Sequence, residues 1–171
     1  MIYCILGACL LLIWILLVYL NMKIIKAAAL LDCLDDWKSP EVPYSLDSTI
    51  LIHVFMWCLA PAITWVGIGS LLEKVKSRKH CSGYAFDPEV KHTRWNLIKR
   101  VLFCKTALVY RPGVRVEMVS IPSLGVRRFI PSKILSEPNG INNLEYNLHL
   151  IQHGKFPRGK SLFDEYEPTN R

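Results

Sequence analysis

A run of nineteen residues without a single charge, positions 2–20, constrains this chain more than any other feature. Leu, Ile and Val dominate it. At ~1.5 Å per residue, a helix of that length just crosses a hydrocarbon core of ~30 Å. Tyr3 and Tyr19 stand near its ends, where aromatic rings favour the headgroup level, and Lys23 and Lys26 follow within reach of lipid phosphates. A cleavable secretory signal carries a basic segment ahead of its apolar run, and none precedes this one. Leu6-Gly7-Ala8-Cys9 has the look of a lipoprotein cleavage box, but cutting there leaves almost no apolar stretch upstream. The run reads as a retained anchor.

A second apolar block covers residues 48–72. Asp47, Ser48 and Thr49 offer cap oxygens, and His53, the one ionisable residue, reads as interfacial. Pro61 lacks a backbone donor, so it predicts a kink near Trp57 and a freed carbonyl that Thr64 or a facing helix must satisfy. Gly67, Gly69 and Ser70 make a small-residue face suited to close helix approach, although their spacing is not GxxxG.

Charge divides the chain at the end of this block. The first 72 residues hold 3 Lys+Arg and 5 Asp+Glu; the remaining 99 hold 18 and 9. That split excludes an ordinary soluble globule, and there is too little apolar chain for a polytopic transporter. Lys74, Lys76, Arg78 and Lys79 form the densest basic cluster, so positive-inside bias assigns this side to the cytoplasm. With two spans, both termini are then cytoplasmic and the acidic 21–47 connector lies outside. Within the connector, Ile24, Ala28, Leu31, Leu34 and Trp37 fall at helical spacing. The first helix therefore runs on to about Trp37 or turns along the interface, and Pro40 and Pro43 end it.

The rest predicts a small α+β domain. Asp87-Pro88-Glu89 reads as the start of a basic amphipathic helix over 88–104. Residues 107–110 and 114–121 read as a hairpin around Pro112-Gly113, with a third strand over 125–130. Pro138-Asn139-Gly140 is a turn, and 143–153 favours helix over strand. The fold class expected is a membrane protein: a two-helix transmembrane hairpin over 1–72 (spans 2–20 and 48–72), a polybasic juxtamembrane linker over 73–81, a small α+β soluble domain over 82–154 and a loose tail over 155–171.

Catalytic chemistry finds no foothold in the sequence. The six cysteines (4, 9, 33, 58, 81 and 104) form no CxxC, which argues against both a disulfide framework and a zinc module. His149 and His153 share a helical face without a third ligand, and no GxSxG, Walker A or GxGxxG motif occurs. No catalytic residue, metal or cofactor is expected. Residues 73–135, by contrast, carry 14 Lys+Arg against 4 Asp+Glu, interleaved with Trp95, Tyr110 and Phe129. Lys74, Lys76, Arg78, Lys79, Lys91, Arg94, Lys99, Arg100, Arg127 and Arg128 are the expected contacts to anionic lipid or partner proteins. Pro61, Gly67 and Gly69 are the expected kink and packing residues. The function expected is non-enzymatic: an inner-membrane subunit or accessory of a larger assembly, for which a secretion, conjugation or phage-related apparatus is one setting, with homo-oligomers among the partners. Two rivals are a membrane-tethered nucleic-acid binder, for which phosphate contacts with stacking would suit the same residues, and a pore of oligomerised hairpins.

Overall fold

The computed structural model describes residues 2–41, 56–113 and 115–167. Helix α1 (Ile2–Asp36) is followed by α2 (Ala60–Ser77), strand β1 (Tyr84–Phe86), α3 (Arg94–Phe103), β2 (Val109–Arg111), β3 (Met118–Ile121), β4 (Val126–Phe129), the short α4 (Ser132–Leu135) and α5 (Gly140–Gln152). The four strands form one antiparallel sheet in the order β1-β4-β3-β2. The fold is mixed helix and sheet, and α1 is long and apolar enough to cross a membrane by length and composition.

α1 runs 35 residues without a break because no proline occurs before Pro40. Its two halves differ in what surrounds them. Ile5, Leu6, Leu10, Leu11, Leu12 and Ile13 are all more than half exposed. Leu20, Ile24, Ala27, Leu31 and Leu34 are buried at intervals of three or four, one face of a helix seated in a core. The helix stops at Trp37, whose φ of 53° is left-handed and costs an L-residue ~1–2 kcal/mol. The Trp37 ring is buried, 5.4 Å from the Phe163 ring and 5.1 Å from the Arg128 guanidinium, which hold it there.

A single apolar core joins this half of α1 to the rest of the chain. It contains Leu20–Trp37 positions, Ile68, Leu71 and Val75 of α2, Leu97 and Val101 of α3, Val119, Ile121 and Val126 of the sheet, Leu144 and Leu148 of α5, and Leu162. The described residues thus divide differently from the expected 1–72 and 82–154 units. The 21–47 connector, as far as Glu41, and the 73–81 linker are part of the domain.

β2 and β3 pair as expected, with Val109 opposite Ser120, but β3 begins only at Met118, four residues after the expected start at 114; β4 forms within the expected 125–130, with Phe129 opposite Met118. Gly125 closes the β3–β4 turn at φ 63°, where a Cβ would also lie 2.6 Å from a Val90 methyl. The helix expected over 88–104 begins six residues late. Asp87 Oδ1 accepts the Glu89 amide at 3.2 Å in a local turn, and Thr93 supplies the cap to Asn96. The helix expected over 143–153 forms as α5, starting at Gly140 after a left-handed Asn139. The tail expected to be loose is packed as far as Tyr166. Leu162 is buried, its amide bonds the Trp37 carbonyl at 3.0 Å, and Asn147 donates to its carbonyl at 3.0 Å.

Candidate membrane-facing surface

α2 lies along α1 in the same direction. Successive contacts pair Trp14 with Trp57, Asn21 with Thr64, Ile24 with Gly67, Asp32 with Lys74 and Asp35 with Arg78. The positions rise together on both helices, so the pair is parallel. The expected antiparallel hairpin is not shown. Asp47, Ser48, Thr49 and His53 lie outside the described residues.

Pro61 sits in the first turn of α2, after a break at Leu59, rather than inside a bent helix. The carbonyl it orphans belongs to Trp57, four residues back. Trp14 Nε1 of α1 donates to it at 2.7 Å, so the facing helix supplies the missing bond. Thr64 Oγ1 instead lies 2.8 Å from both the Ala60 carbonyl and Asn21 Oδ1, and Asn21 Nδ2 donates to Ala60 at 3.1 Å. Gly67 admits the Ile24 methyl at 3.3 Å from where its own Cβ would be. Gly69 faces Arg94 of α3, not a helix backbone.

These contacts leave one continuous apolar exterior. The first half of α1 is joined by Trp57 and Leu59, just before α2, and by Trp65 and Val66 of α2, each at least 46% exposed. α3 crosses beside the end of this exterior. Its Arg94 guanidinium stacks 4.4 Å from the Trp65 ring, and Lys105 beyond its other end shares a cavity with Lys23 and Lys26 of α1. Its core face is Leu97 and Val101, while Trp95, Lys99 and Phe103, spaced by four, form an exposed stripe. Both aromatics are 78% exposed. Large rings beside lysine at the end of an apolar shaft suit a membrane–water interface. The sequence signal for this stripe was two aromatics lying off the helix's apolar face.

Near the C-terminal end of α1, charge fastens the helix to the domain. Lys74 Nζ lies 2.7 Å from Asp32 Oδ2. Arg78, buried, donates through Nε to Asp35 at 2.9 Å and makes a second bond to the same carboxylate. The Tyr84 hydroxyl also donates to Asp35, and burial followed by that carboxylate holds the phenol well above its ordinary pKa. Arg128 donates to the Leu34 and Asp35 carbonyls, the negative end of α1, while its guanidinium lies 5.2 Å from the Tyr84 ring. Cys33 packs beside this network, and burial pushes its thiol up to about 12.

This network changes the expected topology. The connector's acids and the polybasic linker were expected on opposite faces of a bilayer. Contacts as close as 2.7 Å between Asp32 and Lys74 instead bring them together in the fold. Cys33, within the connector expected outside, is buried in the domain.

The predicted contact residues separate accordingly. Lys74, Arg78 and Arg128 are tied to α1, Arg127 lies 3.7 Å from Asp87, and Arg100 donates to the Pro122 carbonyl at 3.3 Å. Lys79 reaches over the Phe86 ring at 5.8 Å, and Arg94 is stacked on Trp65. Lys76, Lys91 and Lys99 are exposed. His149 and His153 stack on each other, and among the described residues no cluster of three metal-ligating side chains occurs. No family model matches this chain, and neither does any curated protein or solved structure.

Proposed function

We propose that this chain is a non-enzymatic membrane-anchored protein whose α+β domain rests on the bilayer surface and serves a larger membrane assembly as a subunit or accessory, contacting protein partners or anionic lipid. One observation carries the reading: the exposed apolar half of α1 continues without a break into the buried half that organises the domain core. Every one of the 21 Lys and Arg residues occurs at or after Lys23. Positive-inside bias therefore favours a cytoplasmic domain and a far-side start of α1, in place of two cytoplasmic termini. Glu41 lines a cavity with Asp32, and Glu73 adjoins Lys74, so in this reading both residues are on the domain side.

Capture of four arginines in intramolecular contacts weakens the nucleic-acid reading, which needs those groups for phosphates. Alkaline carbonate extraction of membranes tests the anchor, and the full-length chain is expected in the pellet. Cys81 and Cys104 are expected to react with a polar maleimide only after the cytoplasmic face is opened. Release by carbonate, or a mature protein that begins after residue 20, overturns the anchor. Isolation in mild detergent as a lone monomer overturns the assembly role.

A further inference from the structure

We infer that α3 lies in the headgroup layer of the domain-side leaflet and holds its outward face, Trp95, Lys99 and Phe103, against lipid as a second membrane contact beside α1. This placement deepens the membrane-anchored reading and rests on it. The occupant of that face is lipid because of the level at which α3 crosses the two long helices.

At the start of α3, Arg94 stacks on Trp65, and its Nη2 atom lies 3.4 Å from where a Cβ on Gly69 would stand. Just beyond the other end, Thr106 and Leu108 line a cavity with Lys23 and Leu30. Ile24 packs on Gly67, so these stretches of α1 and α2 lie side by side. Both ends of a helix about 15 Å long thus meet the pair near one level, and α3 runs across it rather than along it. The exposed apolar exterior ends at Tyr19 on α1 and Val66 on α2. At ~1.5 Å per residue, Ile24 stands about 7.5 Å beyond Tyr19. The polar zone of a leaflet is about 5–8 Å deep. With α1 as the anchor, α3 therefore falls within that zone, and what its outer side exposes meets headgroups.

The chemistry of the face agrees with that level. Trp95 and Phe103 are exposed, while Leu97 and Val101 on the opposite side are wholly buried. Residues 90–116 hold 7 Lys+Arg and no Asp or Glu. Two rings with a lysine between them, clear of carboxylates, suit a layer that is part apolar and part phosphate.

The test uses the full chain in nanodiscs of phosphatidylcholine and phosphatidylglycerol, with the five exposed cysteines replaced by serine. A nitrobenzoxadiazole fluorophore is attached at Lys99→Cys, which keeps both rings, at Leu12→Cys in the exposed half of α1, or at Asp36→Cys at the far end of that helix. Lipids carrying a nitroxide on the headgroup or deep in the acyl chain serve as quenchers. The label at 99 is expected to lose emission to the headgroup nitroxide, the label at 12 to the acyl-chain nitroxide, and the label at 36 to neither. Adding Trp95→Ala with Phe103→Ala is expected to restore most of the emission at 99, with circular dichroism confirming that the variant folds. Quenching at 99 no greater than at 36, the result for a face reserved for a protein partner, overturns the inference, as does quenching that the double variant leaves unchanged. The label at 12 separates the two claims: quenched from the acyl chain, it leaves the anchor standing when α3 fails, and unquenched it refutes the anchor itself.

Discussion

A cross-link between Ile24→Cys and Gly67→Cys probes the parallel pairing of α1 and α2 directly. A Cβ built on Gly67 lies 3.3 Å from the Ile24 Cγ2 methyl. A sulfur in the place of that methyl is within about 0.3 Å of the roughly 3 Å that a disulfide sets between one Cβ and the opposite sulfur. Oxidation closes a loop of about 43 residues, which removes denatured-state entropy equivalent to about 4 kcal/mol. For a chain of this size that is a rise of roughly 10 °C in Tm, before any native-state strain is subtracted. The background replaces Cys4, Cys9, Cys58, Cys81 and Cys104 by serine and keeps the buried Cys33. Copper-phenanthroline oxidation in detergent, a gel shift after proteolysis between the two positions, and thermal unfolding with and without reductant give the readout. An antiparallel pair of spans over 2–20 and 48–72 brings Gly67 near Cys4 instead. In a second background that keeps Cys4, a cross-link of Gly67→Cys to Cys4, with none to Ile24→Cys in the first, refutes the parallel geometry and the shared-side argument together.

Asp35→Ala leaves Arg78 buried, with Asp32 at 3.5 Å as its remaining carboxylate. Breaking a fully buried ion pair costs about 3–5 kcal/mol, and because the Asp35 side chain is 33% exposed the expected loss is about 2 kcal/mol. Urea unfolding in detergent measures it, and a change below about 0.5 kcal/mol would show that the clamp contributes little. His92 has a lowered pKa, chiefly from burial, against a hydrogen bond to the Leu124 carbonyl. Its neutral form is thus favoured in the fold, so its contribution is complete above about pH 6.5 and declines as the pH falls toward the folded pKa. His92→Gln is expected to flatten the stability profile below pH 6.5, and an unchanged slope assigns that dependence to other groups.

Local patterns were legible wherever one residue type decided the backbone. The charge-free run, the Asn139 turn and the helical spacing from Ile24 onward all lead to elements that form, whereas the alternation of Val116 and Met118 with Glu117 lies mostly ahead of β3. The orphaned carbonyl at Pro61 was foreseeable from one missing N–H, although its donor, Trp14, was not, because that bond spans 43 residues. The side on which the connector lies was misread for a physical reason. Positive-inside bias counts cations and largely ignores acids, yet Asp32 and Asp35 are what draw Lys74 and Arg78 to α1. The tail was misread because Phe156, Leu162, Phe163 and Tyr166 follow neither helical nor strand spacing. They cover Trp37 and α5 from an irregular segment. The lysine cavity was invisible because Lys23 and Lys105 stand 82 positions apart.

The unbroken course of α1 also has a mechanical consequence. At ~1.5 Å per residue its 35 residues make a rod of about 52 Å, one half apolar and exposed and the other seated in the domain core. Between Ala8 and Asp36 it contains neither glycine nor proline, so it has no built-in hinge. Transmembrane helices answer a change in bilayer thickness by tilting. A tilt of about 10° in such a rod shifts one end relative to the other by about 9 Å. Arg128, clamped to the terminal carbonyls, passes that displacement straight to the sheet. In the membrane-anchored reading proposed above, the domain end of such a rod moves with that tilt.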